Sequence, residues 1–430
     1  MIQEMWQTIL QTVKGYSPRE KVFLLACMLC SFFISADYAL VRPVSNSLFI
    51  QNYGAKLFPV AWALSVPLNL AVVYLYNRFI AKLGCFKIYS LVALAIVIGN
   101  VCLGIWVKNH PSLSFVFYVW KDVYVMLMFQ LLWSVIHSTI ELSRARYLYG
   151  FLFSIGALGG LSGSLCASKY SLIIGTESLL FFTPAIYGLL TISYYLLIRC
   201  SGGVDVKIEA SMKKGASLKD SAALIKGSKL LLAILAMVVL MQVTATLTDF
   251  QFNTYLEKIY PDKDLRTSYF SRLLAYGNLL TMSFQSIGVY LFIRYLGKFK
   301  THLMIPLILG LNCIAYLFYP VFGMISYSFL TIKCFDFSLF NVIKEMLYIP
   351  LKTEEKFRAK ALIDVFMYRG AKVLASFFVL LAQLYMAPSM SAMLSWINLG
   401  LFCTWVYVVV SIRRFYVDSD ALASSPANSF

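Results

Sequence analysis

The chain has 430 residues, of which 60% are hydrophobic and only 13% charged, with a net charge of +17. A water-soluble domain carries about a quarter charged residues, so this composition requires lipid as solvent. The basic residues fall in short gaps between apolar runs, the positive-inside pattern, which excludes nucleic acid as the partner and makes the lipid bilayer one.

The opening M-I-Q-E-M-W-Q-T-I-L-Q-T-V-K reads as a short amphipathic segment at the membrane surface (1–20), with no cleavable signal peptide. About twelve runs follow, each near the roughly 20 apolar residues that cross a bilayer: 21–46, 57–81, 86–107, 113–140, 147–172, 178–199, 230–258, 268–297, 301–322, 325–350, 359–386 and 391–415. The gaps after even-numbered runs hold Arg78, Lys82 and Lys87; Arg144 and Arg146; Arg294, Lys298 and Lys300; Lys352, Lys356 and Arg358. The opposite gaps hold few cations, so both termini are expected in the cytoplasm. The longest break, Cys200 to Lys229, holds six lysines and reads as a cytoplasmic linker at 200–229. It would separate a first half, 21–199, from a second, 230–415, followed by a tail at 416–430.

The halves look duplicated. One offset carries Arg144 onto Arg358, Asp122 onto Asp336 and Gly156 onto Gly370, and a nearly equal one carries Asp37 onto Asp249. Two parallel six-helix repeats describe the major facilitator architecture, an all-α polytopic fold with its site near the bilayer midplane. Cys27 and Cys30 form a C-x-x-C inside a run, without a second pair or a nearby histidine, and read as small apolar fillers. No zinc spacing, phosphate-cradling glycine loop or nucleophile elbow occurs, so neither an enzyme nor a cofactor is expected.

Ionisable side chains within apolar runs are the candidate site, because charges at membrane depth are costly and face a pathway or a partner. The first run carries Asp37, Arg42, Pro43, Ser45 and Asn46. Arg42 is open to two roles, cargo binding or helix pairing by a snorkelling arginine. The fourth run carries Lys121 and Asp122, then Gln130, Ser134, His137 and Glu141 at helical spacing. Lys121 and Asp122 could equally be a local pair near the outer interface. The seventh run places Gln242, Thr246, Asp249, Asn253 and Glu257 along one helix face. Asp249 could instead pair with Arg272 or Arg42. Asp122 and Asp249 are the candidate proton-coupling acids, which makes the proton a candidate co-substrate. The tenth run has Lys333, Asp336, Lys344 and Glu345, and the eleventh has Lys360, Asp364, Arg369 and Lys372. A Lys360–Asp364 salt bridge latching a cytoplasmic gate is the alternative to substrate contact there. The fifth run, S-I-G-A-L-G-G-L-S-G-S, has small residues at four-residue spacing and reads as a close helix contact.

The stretch K-E-M-L-Y-I-P-L, Lys344 to Leu351, followed by K-A-L-I-D-V, Lys360 to Val365, resembles the ATP/ADP translocases of plastids and obligate intracellular bacteria. That family reads roughly K-E-M-A-Y-I-P-L, a short charged loop, then G-K-A-A-I-D-V. R-G-A-K at Arg369 to Lys372 is similar to its R-x-G-K element. The family's L-R-D-T-K-D-T-L aligns with the first run so that Arg42 keeps the arginine, Ser45 replaces a substrate lysine and Asn46 replaces an acid. F-N-T-Y-L-E-K-I-Y-P resembles W-K-S-Q-x-K-x-x-Y-P, with Asp249 in place of a functional glutamate and Asn253 in place of a lysine.

The resemblance implies a major-facilitator-like secondary transporter of the bacterial inner membrane, moving a nucleotide or nucleotide-like anion by exchange or proton symport. The two lost cations imply a less highly charged cargo than ATP or ADP. A carrier of an unrelated small solute and a non-transporting membrane interaction protein are the alternatives.

Overall fold

The structure, a computed structural model, describes residues 17–139, 142–202, 218–348, 351, 359–385 and 390–415. The amphipathic start, Glu141, linker residues 203–217, the loop cations Lys352, Lys356 and Arg358, and the tail from 416 lie outside the described residues.

The described residues form twelve long helical runs, with strand nowhere among them. They are α1 (Pro18–Tyr53), α2 (Phe58–Leu83), α3 (Cys85–Trp106), α4 (Leu113–Thr139), α5 (Leu142–Ile174) and α6 (Thr183–Ser201). After a ten-residue helix at Leu218–Gly227 come α7 (Lys229–Ile259) and α8, which starts as Lys263–Ser283 and passes through a π turn at Phe284–Gly288. Val289–Phe318 is broken at Gly297 (φ 78°), where α8 ends and α9 (298–318) begins. The left-handed φ explains the glycine, since a Cβ would strain it. The tenth run, α10, is Phe322–Phe335, a π turn at Asp336–Phe340 and Asn341–Leu347. α11 is a π segment at Ala361–Met367 continued by Tyr368–Tyr385, and α12 is Met390–Ser411. Nine of the helices are individually long and apolar enough to cross a membrane. Helices satisfy their own backbone groups, which is why they can stand in lipid.

Contacts divide the chain into two compact units. Unit 1 holds residues 1–52, 67–214 and 262–282; unit 2 holds 53–66, 215–261 and 283–430. Two helices are therefore shared, and each is irregular where it changes unit. The change in α2 falls at Pro67, which has no N–H to complete the helix ladder. The change in α8 falls beside the π turn at Phe284–Gly288.

Unit 1 is built on the close approach of α5 to α1. A Cβ added at Gly159 would lie 2.1 Å from the Phe32 carbonyl oxygen, and one at Gly163 2.1 Å from that of Ala36. Only glycine fits, and the spacing of four puts both on one helix face. The start of α8 closes this unit: the Thr176 N–H donates to Asp264 at 2.7 Å, Lys263 pairs with Glu177, and Arg266 donates to the Ser47 carbonyl at 3.0 Å. Unit 2 is built around α7, whose apolar window is 72% buried and which packs against α10, α11 and α12.

Candidate functional site

The ionisable residues of unit 2 converge on three helices. Lys333 of α10 donates to Asp249 of α7 at 2.8 Å. One turn along α10, Asp336 accepts from Gln242 of α7 at 3.3 Å and lies in the field of Lys333 and Lys344. Lys344 donates to Asp364 of α11 at 3.0 Å, and Lys360 of α11 pairs with Glu345 at 2.5 Å. Lys360 also lies 5.5 Å from the Tyr348 ring centre.

The K-E and K…D motifs thus form two crossed pairs between α10 and α11, not a latch within α11. Lys360 and Asp364 lie where the chain enters a π segment, and each finds its partner on the neighbouring helix instead. Asp336 lies in a π turn as well. Single π turns are frequent at functional sites. Each carboxylate here holds a lysine or a neutral donor, so an anionic ligand must compete with carboxylates for the lysines. Arg369 follows on α11, half-buried, and Lys372 lies over Trp62 at 5.4 Å.

Asn253 donates to the Asp249 carbonyl one turn back at 2.8 Å and is only 2% exposed. It stands in the packed interior beside the Asp249–Lys333 pair.

In unit 1, Lys121 pairs with the adjacent Asp122 at 2.9 Å and stacks over Tyr118 at 4.2 Å, the local-pair alternative. Arg42 lies 5.7 Å from the ring centres of both Tyr38 and Phe270, a cation–π arrangement. Ser45 donates to the Arg42 carbonyl at 3.0 Å and is fully buried, and Asn46 is buried beside it. Ser134 of α4 accepts from Tyr76 at 2.9 Å, and His137 stacks on Trp133 at 5.4 Å. Two contacts escaped the sequence. Asp37 accepts from Tyr124 at 3.0 Å, and Lys333 donates to Asp249. All four residues stood in apolar runs, but their pairing depends on helix rotation, which spacing along one helix does not define.

The model of the TLC ATP/ADP transporter family matches residues 320–416, the segment with Lys333, Asp336 and both crossed pairs. Over nearly its whole length the chain is similar to ADP,ATP carrier protein 3 of Rickettsia conorii (20% identical, 96% of this chain and 97% of that protein). ADP,ATP carrier protein 4 of the same organism is 22% identical over 95% and 94%. The similarity to TLC ATP/ADP transporters thus runs along the chain at low identity. Among solved structures it resembles nucleoside transporter NupG (TM-score 0.63, 13% identical, 92% of this chain and 99% of that one). It also resembles the POT family transporter PepTSo (TM-score 0.60, 12% identical, 95% and 99%). The fold is therefore major-facilitator-like.

The crossed pairs can be tested by exchange of charge. Lys344→Asp or Asp364→Lys alone places two like charges together at a site where the side chains are 11% and 22% exposed. Each should cost about 1–3 kcal/mol, below the 3–5 of a fully buried pair broken at one partner. The double variant should recover at least half of that in the thermal stability of the detergent-solubilised protein. Strictly additive losses would show that the two side chains do not act as a pair.

Proposed function

We propose that the protein is a secondary transporter that carries a nucleotide or nucleotide-like anion across the bacterial inner membrane by alternating access. The observation that carries this reading is the lysine–carboxylate lattice on α7, α10 and α11, whose α10 and α11 members lie within the segment matching the TLC family. Lysines held by carboxylates can change partners. An arriving phosphate takes the lysine and frees the acid, and on release the acid reclaims it, which resets the site for the return step. A ligand moved in either direction meets the same exchange.

Ser45 and Asn253 support a cargo of lower charge. Where the relatives' pattern has lysines, this chain buries two neutral side chains that bond to their own helix. A nucleoside monophosphate, a nucleoside or a dinucleotide suits such a site better than a triphosphate. The proposed binding residues are Arg42, Lys121 and Asp122 in unit 1, and Arg369 with the four motif residues Lys344, Glu345, Lys360 and Asp364 in unit 2. Protons are a proposed co-substrate. Both termini are placed in the cytoplasm, as the loop cations Arg78, Lys82 and Lys87 and Lys298 and Lys300 favour.

Reporters fused in the linker at 203–217 and after Arg414 should both read cytoplasm. A periplasmic signal from either would reverse or break the topology.

Uptake into proteoliposomes of labelled nucleotides, nucleosides and amino acids tests the cargo. Nucleotide uptake, trans-stimulated by internal nucleotide, is expected. Transport restricted to amino acids would overturn the assignment. Arg42→Gln should weaken a phosphorylated cargo roughly tenfold or more relative to its unphosphorylated analogue, since a charge-assisted hydrogen bond contributes about 1.5–3 kcal/mol. Equal losses for the two analogues would make Arg42 structural.

A further inference from the structure

The first helix of each six-helix run sends an acid to the fourth. In unit 2 the acid on α7, Asp249, meets the ammonium of Lys333 on α10. In unit 1 the acid on α1, Asp37, meets the hydroxyl of Tyr124 on α4 at 3.0 Å. The geometry is alike and the chemistry is not: a cation neutralises one carboxyl, and a neutral donor faces the other.

Asp37 is 1% exposed, and its Oδ1 has no hydrogen-bond partner. The groups acting on it, from the elements packed round it, are Tyr124 on α4 and Tyr187 on α6. Behind them stand Asp122 on α4 and Tyr89 on α3, which act on those two hydroxyls. Asn100 of α3 donates to Tyr124 at 3.5 Å and to Thr183 at 3.3 Å. α5 meets this part of α1 through Gly163, which has no side chain. On α1 itself the nearest cation in sequence is Arg42, whose guanidinium lies over Tyr38 and Phe270. Lys121 is held by Asp122. Among the described residues, no cation is one of the groups acting on Asp37. A carboxylate buried without a cation is costly, whereas a neutral carboxylic acid needs only hydrogen bonds.

We propose that Asp37 is a proton-binding site of the carrier, its carboxyl taking a proton where Asp249 takes a lysine. The proton comes from bulk water when the site is hydrated. It bonds to Oδ1, while Oδ2 keeps the hydrogen bond that the Tyr124 hydroxyl donates. It leaves to water when the site is hydrated again. Asp122 and Asp249, the acids first expected to carry protons, are both held by lysines, which makes Asp37 the better placed acid. Coupling of this proton to cargo movement rests on the transport function proposed above.

Infrared spectroscopy of the full-length protein in lipid reads the proton without any cargo. The wild type should show a carboxyl C=O band at neutral pH that shifts in D2O. Asp37→Asn should lose that band, Asp122→Asn should keep it, and Tyr124→Phe should displace it by removing the hydrogen bond to Oδ2. Asn has nearly the same shape as a protonated Asp, so the fold should survive, and the Tyr124→Phe displacement is available if it does not. In proteoliposomes, Asp37→Asn should lose stimulation of uptake by an inward proton gradient while retaining counterflow of labelled against unlabelled nucleotide. A band unchanged in Asp37→Asn, or gradient stimulation kept in full by that variant, would overturn the proposal. If the wild type moves no nucleotide at all, the transport function falls, and the infrared difference alone decides Asp37.

Discussion

A charge in the hydrocarbon layer must be neutralised locally, and the arrangement of this protein follows from that constraint. The carboxylates Asp122, Asp249, Asp364 and Glu345 each stand against a lysine. Asp336 is flanked by two lysines and bonded to Gln242, and Asp37 takes a tyrosine hydroxyl. Where the lattice is densest, on α10 and at the start of α11, the helices widen into π turns. Isolated pairs of this kind are a poor source of stability, because the Coulomb gain roughly repays desolvation. Their concentration on three helices of unit 2 is what the proposed exchange of partners with an anionic cargo would require.

The helical runs were legible from composition and run length alone, because the bilayer sets both the length and the apolarity of a helix, and nine among the described residues are long and apolar enough to cross it. The glycine pattern of α5 was legible for a similar reason: spacing of four defines one face, and Gly159 and Gly163 do meet the α1 backbone. Partner choice was not legible. Lys360 and Asp364 are four apart and should face together on an α-helix, yet each pairs across to α10. A π segment is a matter of packing and leaves no fixed mark in sequence. Lys333 stood in view within its run, but its reach to Asp249 depends on how α7 and α10 are rotated. Ser45 and Asn253 could be read as lost cations. That both turn back to their own helix could not.

The two units use the same scaffold with different chemistry. Unit 2 pairs acids with lysines, which suits exchange with an anionic ligand. Unit 1 holds one carboxyl with no cation acting on it among the described residues, the arrangement proposed above to take a proton. Both follow from one rule applied to different side chains on α4 and α10: a buried acid takes whichever positive charge can reach it.

The central claim is that the Asp249–Lys333 pair serves movement of the cargo more than stability of the fold. Replacing both at once, Asp249→Leu with Lys333→Met, removes the charges while filling the space. Replacing a buried pair by apolar residues of similar size is often neutral or stabilising, by about 1–4 kcal/mol. Thermal stability and nucleotide counterflow measured on the same purified double variant provide the test. The expected result is a protein at least as stable as the wild type that no longer transports. A double variant that keeps wild-type counterflow, or one that unfolds, would contradict the claim.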